Sequence, residues 1–437
     1  MISDLFAIGL FLLFVIFGLS RPSIALCGVV WVDNFRPQEM SVSFLQGKPM
    51  SAFMTVFFLM TLVINAKKLN VPKSFGYHFM VLFFLFWITL TTFFSEYPEL
   101  AWFKHDSAFK TILAAYFIPF VLTNRKQVEA FIWLCIVAFG TLSFFGGVKT
   151  LLGGGGYGTN LIGTFGGSFW SEGSTLATMC VALIPICLLG VRTLLAQQVK
   201  LMYLTSYGYA FASLLTVIGT QARAGLVCLA MYALLLFKAT NSKAKAVLLA
   251  AVVGLAITPF IPDSWYERME TIGSTANATS DASAMGRVVV WRWTFDYVAE
   301  RPIMGGGFYA YRSNAGVLSH YSKNSEVSIE TPYPKAWHNI FIEVLGTQGY
   351  VGLLVFLGMI SHTLWLNSRL IKRSMPPDDT WKPDFAKALN LSLLIFCTGG
   401  LFVNIAFYPW IYYLYGLSIA LFHMPGSKKI EPVNTRA

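Results

Sequence analysis

The chain has 437 residues, 56% of them hydrophobic and 12% charged, with a mean hydropathy of +0.61 and a formal net charge of +11. Soluble domains carry roughly 25% charged residues, so this composition excludes an ordinary soluble enzyme and reads as a polytopic helical membrane protein. The positive balance does not call for nucleic acid, because in such a chain the position of the cations matters more than their total.

The first apolar segment, Leu5 to Leu19, lacks a basic n-region and a small-residue cleavage site, and reads as a retained span. Residues 5–33 read either as two short arms broken at Arg21-Pro22 or as one crossing plus a half-helix, since Pro22 disfavours helix at Arg21. Apolar length predicts further spans near 49–65, 76–94, 107–122, 128–147, 174–192, 201–220, 224–238, 243–260, 350–368, 385–403 and 408–424. The expected fold is therefore all-α, with about 12 transmembrane helices and one large helical loop. Its divisions are an N-terminal bundle over 1–260, the loop over 261–349, and C-terminal helices with a tail over 350–437. The six cysteines, Cys27, Cys135, Cys180, Cys187, Cys228 and Cys397, fall in apolar segments and read as small buried hydrophobes.

Cations choose the orientation. Lys67, Lys68 and Lys73 share one connection, and Arg125 and Lys126 another. Arg192 and Lys200 flank a third, Lys238, Lys243 and Lys245 a fourth, and Arg369, Lys372, Arg373, Lys382 and Lys387 a fifth. Lys428, Lys429 and Arg436 mark the tail. These connections alternate with the others, which predicts that they are cytoplasmic and that 34–48, 95–106, 148–173, 221–223, 261–349 and 404–407 face outward. The glycine-dense stretch 153–167 permits close backbone approach to a ligand, but no Gly-Lys-Ser/Thr follows and it reads first as a flexible linker. Asn277-Ala278-Thr279 matches a glycosylation sequon by chance.

The long polar stretch from Pro262 to Trp337 holds most of the candidate chemistry, and its aromatic residues argue against disorder. Asp281 to Glu300 reads as a helix, capped by Ser280 or Asp281 and ended at Arg301-Pro302. Arg287, Trp291 and Phe295 then share one face. A second helix is predicted from Ala336 to Leu345, stopped at Gly346, with Asn339 and Glu343 as i, i+4 partners.

Three cations and one imidazole stand out. Arg223 lies in a tight turn between apolar spans, where a guanidinium serves function or snorkels to headgroups. Arg287 and Arg301 either form ion pairs within the loop or clamp a diphosphate, a task that suits the planar guanidinium. His338 sits where the polar stretch re-enters the apolar region, and a neutral imidazole there suits a general base. The outer acids Glu96, Glu99, Asp106, Glu172 and Asp281 show no metal-ligand spacing, and no nucleophilic serine elbow is present.

The order of these motifs resembles the O-antigen ligase and polymerase superfamily of bacterial envelope glycosyltransferases. The ordered set is Arg223-Ala-Gly225, Asp281-x-Ser283-x-x-x-Arg287 with Trp291, Arg301-Pro302-x-x-Gly305-x-Gly307-Phe308, and His338-Asn339-x-x-x-Glu343 with Gly346 and Gly349. Where the family pattern has Ser-Arg-Gly, this chain has Ala222-Arg223-Ala224. The likeness covers residues 170–405 by motif and the N-terminal region by topology. It implies metal-independent, inverting transfer of a glycan from undecaprenyl diphosphate to the lipid A–core oligosaccharide, at the periplasmic face of the bacterial inner membrane. By that likeness Arg223 and Arg287 hold the donor diphosphate, with Arg301 and Asn339 in the substrate-binding set. His338 activates the acceptor hydroxyl. No metal, cofactor or nucleic acid is implied; membrane lipids are. A polymerase or a protein O-oligosaccharyl ligase shares the motifs. The rival of another class, a lipid-linked glycan flippase, would place its polar residues at the midplane.

Overall fold

The computed structural model describes residues 2–41, 44–153, 172–244, 254, 258, 278–322, 332–373 and 375–424. The glycine-rich stretch 153–167 beyond Gly153, the expected span 243–260 apart from scattered positions, Asn277 and the tail lie outside the described residues. So do the side chains of Ser280, Asp281 and Ser283.

The described chain is all-α. Its main helices are α1 (Ile2–Gly18), α2 (Pro22–Phe35), α3 (Met50–Ile64), α4 (Phe75–Phe93), α5 (Pro98–Tyr116), α6 (Arg125–Gly153) and α7 (Gly173–Gly190). They continue with α8 (Lys200–Gly219), α9 (Arg223–Ala239), α10 (Ala278–Glu300), α11 (Ile340–Lys372), α12 (Lys382–Gly400) and α13 (Pro409–His423). Residues 5–33 resolve as two short arms: Pro22 starts α2 in its first turn, and α1 packs back on α2.

The expectation of about twelve spans is overturned. Among the described residues, five helices are long and apolar enough to cross a membrane: Phe75–Phe93, Arg125–Leu152, Gly173–Gly190, Lys200–Gly219 and Ile340–Lys372. The other apolar stretches fall short for separate reasons. Helices α1, α2 and α3 have 17, 14 and 15 residues, or roughly 21–26 Å at 1.5 Å per residue. Helix α5 carries Glu99, Lys104, Asp106 and Lys110, and the predicted crossing at 107–122 breaks after Tyr116 into a short turn, Ile118–Val121. Helix α13 has 15 residues and is apolar because it is buried in protein on nearly every side, from Pro409 through Leu421. A helix that is hydrophobic all round is a core helix or a span, and composition alone does not separate the two.

Helix α7 is the centre of the bundle, packed against α6, α8, α9 and α12. Its two ends differ in character. At its C-terminal end Arg192 pairs with Asp384 at 2.5 Å, Glu129 accepts from the Leu194 amide at 2.9 Å, and Arg125 lies over the Trp381 ring. These belong to the Lys/Arg-rich connections predicted to share one side. At its N-terminal end stands Glu172, about 27 Å away along 18 residues of helix.

Helix α11 departs from expectation. It begins at Ile340, after an Asn339 cap, and runs through Gly346 to Lys372. Its break lies at Gly349, where φ is 65° and ψ −171°. The reason is tertiary: the segment after Arg301 lies directly on this helix. The Gly306 and Gly307 amides donate to the carbonyls of Gly346 and Thr347 at 3.0 and 2.9 Å, and the Tyr350 amide to Pro302 at 2.8 Å. A Cβ on Gly349 would stand 2.2 Å from the Ile303 carbonyl oxygen, and one on Gly305 would stand 2.7 Å from the Gly349 nitrogen. Gly305 and Gly349 thus let two backbones touch.

Candidate functional site

Helix α10 begins at Ala278, which places Ser280 and Asp281 inside its first turn rather than at its cap. The predicted pairing of positions along its face holds for the two that matter. Arg287 and Trp291 are half-buried, one turn apart, whereas Phe295 is 49% exposed. The Trp291 indole N–H donates to the Trp337 carbonyl at 2.8 Å. That carbonyl belongs to the peptide leading into His338, so α10 tethers the histidine's backbone.

His338 has a φ of 47°, in the left-handed region. For a residue other than glycine this costs roughly 1–2 kcal/mol. Asn339 explains how the chain resumes a helix immediately afterwards: its side-chain oxygen accepts from the Phe341 and Ile342 amides at 2.9 and 3.3 Å. Capping of this kind contributes roughly 0.5–2 kcal/mol. The Asn339 side chain therefore serves the helix start. Its predicted partner Glu343 turns away to accept from the Ala406 amide at 3.0 Å.

Charges from four segments meet at this end. Arg287 feels Glu172 as a supporting charge and Arg223 as an opposing one, while burial disfavours its ionised form and lowers its pKa. Burial likewise holds the His338 imidazolium below the ordinary histidine range. Arg287 and Lys335 reinforce that shift and Glu172 opposes it. The His338 Nδ1 is buried without a hydrogen-bond partner. Arg223 occupies the first turn of α9, just after Gln221 with its left-handed φ of 53°. The structure brings Arg223, Arg287 and His338 together, and adds Glu172 and Lys335.

Arg301 is elsewhere. It pairs with Glu96 at 2.6 Å and lies over the Tyr297 ring at 4.7 Å. Through Glu96 it fastens the α4–α5 connection to the glycine segment, where the Ser95 hydroxyl also reaches the Gly306 carbonyl at 3.4 Å. Glu172 is the residue that sequence reasoning missed. It was one acid among several, and only its position before Gly173, the first residue of the central helix, gives it a role. Its carboxylate accepts from the Thr175 hydroxyl at 2.7 Å.

Backbone strain marks the same region. Among the described residues, the non-glycine positions with positive φ are Arg36, Gln221, Tyr309 and His338. Gln221 precedes Arg223 and His338 is itself a candidate. Such outliers cost of order 1–3 kcal/mol and gather where surrounding structure enforces a function.

Long apolar helices packed in one bundle define a multi-pass membrane protein, and Arg223, Arg287, His338 and Glu172 gather at one end of its central helix. Residues 208–357 match the family model described as O-antigen ligase, and residues 2–194 match one described as a family of unknown function (DUF5935). The first match, over about a third of the chain, supports its placement in the O-antigen ligase and polymerase superfamily. No curated protein matches it. Arg223, Arg287 and His338 fall in the first segment and Glu172 in the second, so the polar cluster draws on both.

Proposed function

We propose that the chain is an O-antigen ligase, transferring a glycan from undecaprenyl diphosphate to a lipid A–core acceptor at the periplasmic face of the inner membrane. The observation that carries this is the meeting of Arg223, Arg287 and His338 at one end of the central helix. The two guanidiniums suit a diphosphate, each charge-assisted hydrogen bond contributing roughly 1.5–3 kcal/mol. In the step proposed, the His338 ring takes the proton of the acceptor hydroxyl as its oxygen bonds to the anomeric carbon. The bond from that carbon to the diphosphate oxygen breaks, and the lipid diphosphate leaves with its charge on Arg287 and Arg223. A single displacement inverts the anomeric centre. Depression of the His338 pKa supports the role, since only neutral imidazole accepts a proton. Arg301 belongs to the loop's architecture on this reading, through Glu96, and Asn339 to the helix cap.

The test is reconstitution of the purified chain in vesicles, with lipid-linked donor inside the bilayer and lipid A–core offered at the site face, with and without EDTA. Transfer that survives EDTA is expected, and His338→Gln should still bind donor while losing roughly 10²–10⁴ in turnover. Donor translocation without any glycosyl transfer would make the protein a flippase. Wild-type-like turnover by His338→Gln would remove the base.

A further inference from the structure

Beside His338 lies a cavity of about 150 Å³ whose walls come from four parts of the chain. Tyr309, Tyr311 and Trp337 present rings to it, and Lys104, Glu343 and Asn404 present polar groups. Several observations show that this space is built. Tyr309 is held with a φ of 64°, in the left-handed region. The Tyr311 and Trp337 rings lie edge to face, with centroids 5.4 Å apart, so neither is free to collapse into the space. The Asn404 side-chain oxygen is buried without a hydrogen-bond partner. A ligand hydroxyl would donate to it, a bond that contributes roughly 0.5–1.5 kcal/mol net. The lining combines aromatic walls with a few convergent polar groups, the usual constitution of a small-molecule site.

Its charge balance narrows the ligand. Its lining carries one amine, Lys104, and one carboxyl, Glu343. Glu343 already accepts from the Ala406 amide through one oxygen, leaving the other for a donor. A phosphate or carboxylate would meet Glu343, and an amine would meet Lys104. A neutral ring carrying several hydroxyls offends neither, satisfies Asn404, and lays its apolar C–H faces against the tyrosine and tryptophan rings.

We propose that this cavity binds one uncharged pyranose ring and that, in the ligase reading, it is the subsite for the acceptor's terminal sugar. The second half rests on that reading. His338 directly follows the cavity-lining Ala336 and Trp337 in the chain, and it feels the charge of Arg287. An acceptor sugar seated there has its hydroxyl on the histidine side, opposite the donor diphosphate. The acceptor residue glycosylated is then a neutral hexose, not a phosphorylated or acidic sugar.

The experiment uses the full chain in nanodiscs and saturation-transfer NMR. The probes are a methyl hexopyranoside, the matching methyl hexuronoside and a hexose phosphate. The neutral glycoside should bind and the two anions should not. Ala336→Trp fills the cavity without removing a polar group and should abolish binding. Asn404→Ala should weaken it about two- to tenfold, the worth of one neutral hydrogen bond. Should Ala336→Trp fail to fold, Asn404→Ala with wild-type thermal stability carries the test. Undiminished binding by a folded variant, or preference for an anion, overturns the proposal. Glycoside binding in a protein that performs no transfer would leave the cavity standing and sink only the ligase reading. Full transfer to acceptor by folded Ala336→Trp would do the reverse.

Discussion

Trp291→Phe isolates the tether that holds His338. The substitution keeps an aromatic ring on α10 and deletes one donor, the indole N–H that reaches the Trp337 carbonyl at 2.8 Å. A neutral hydrogen bond contributes roughly 0.5–1.5 kcal/mol net. Trp291 is half-buried, so water can reach the abandoned carbonyl and about 1 kcal/mol is the reasonable loss. The left-handed backbone at His338 is held against a bias of roughly 1–2 kcal/mol. The tether is thus comparable to the strain it opposes. If all of it serves to place the imidazole, kcat falls about five- to tenfold, because each 1.36 kcal/mol is a factor of ten. Trp291 touches no reacting atom on this account and is a positioning residue. Donor KM should therefore stay within about twofold, since diphosphate recognition belongs to Arg223 and Arg287. The assay is steady-state transfer by purified protein, with thermal unfolding as a check on the fold. A Trp291→Phe enzyme with unchanged kcat, or with donor KM rising as kcat falls, would refute the tether.

Two further outcomes are expected. Transfer should rise with pH through the His338 pKa, because the neutral ring is the base; Glu172 raises that pKa, so Glu172→Gln should move the acid limb of the kcat profile to lower pH. A limb that moves to higher pH would show that Glu172 does not support the imidazolium. Arg301→Ala should leave donor KM nearly unchanged once Glu96→Ala is present, since the exposed pair is worth only about 0–1 kcal/mol and acts on the loop. A large rise in donor KM in that double variant would return Arg301 to the diphosphate site.

Much of the site was legible because its signals are local. Helix α10 follows from sequence between the polar stretch and Arg301-Pro302, and the spacing of Arg287 and Trp291 puts them on one face wherever that helix goes. His338 announced itself by standing at the boundary between polar and apolar chain. The glycines at 305, 307, 346 and 349 were visible as a pattern but not as contacts. Local reasoning made Gly346 a helix stop, whereas it is the place where the Trp337 ring and the Gly306 amide meet α11. The family likeness put Arg301 and Asn339 in the substrate-binding set. In the structure Arg301 pairs with a carboxylate from a distant connection, and Asn339 accepts from two amides of its own helix.

The sequence by itself determined the all-helical class and the gathering of Lys and Arg in particular connections, and it singled out Arg223, Arg287 and His338 as candidates. Those properties depend on composition and on neighbours a few positions apart. The structure set how long each apolar helix runs and showed Pro409–His423 buried on nearly every side, which composition could not do because burial in protein and burial in lipid select the same side chains. It alone brought Glu172 to Arg287 and His338. It alone shaped the cavity at Asn404, since its walls come from four separate segments of the chain. No periodicity records a meeting of that kind; it exists only once the helices have packed.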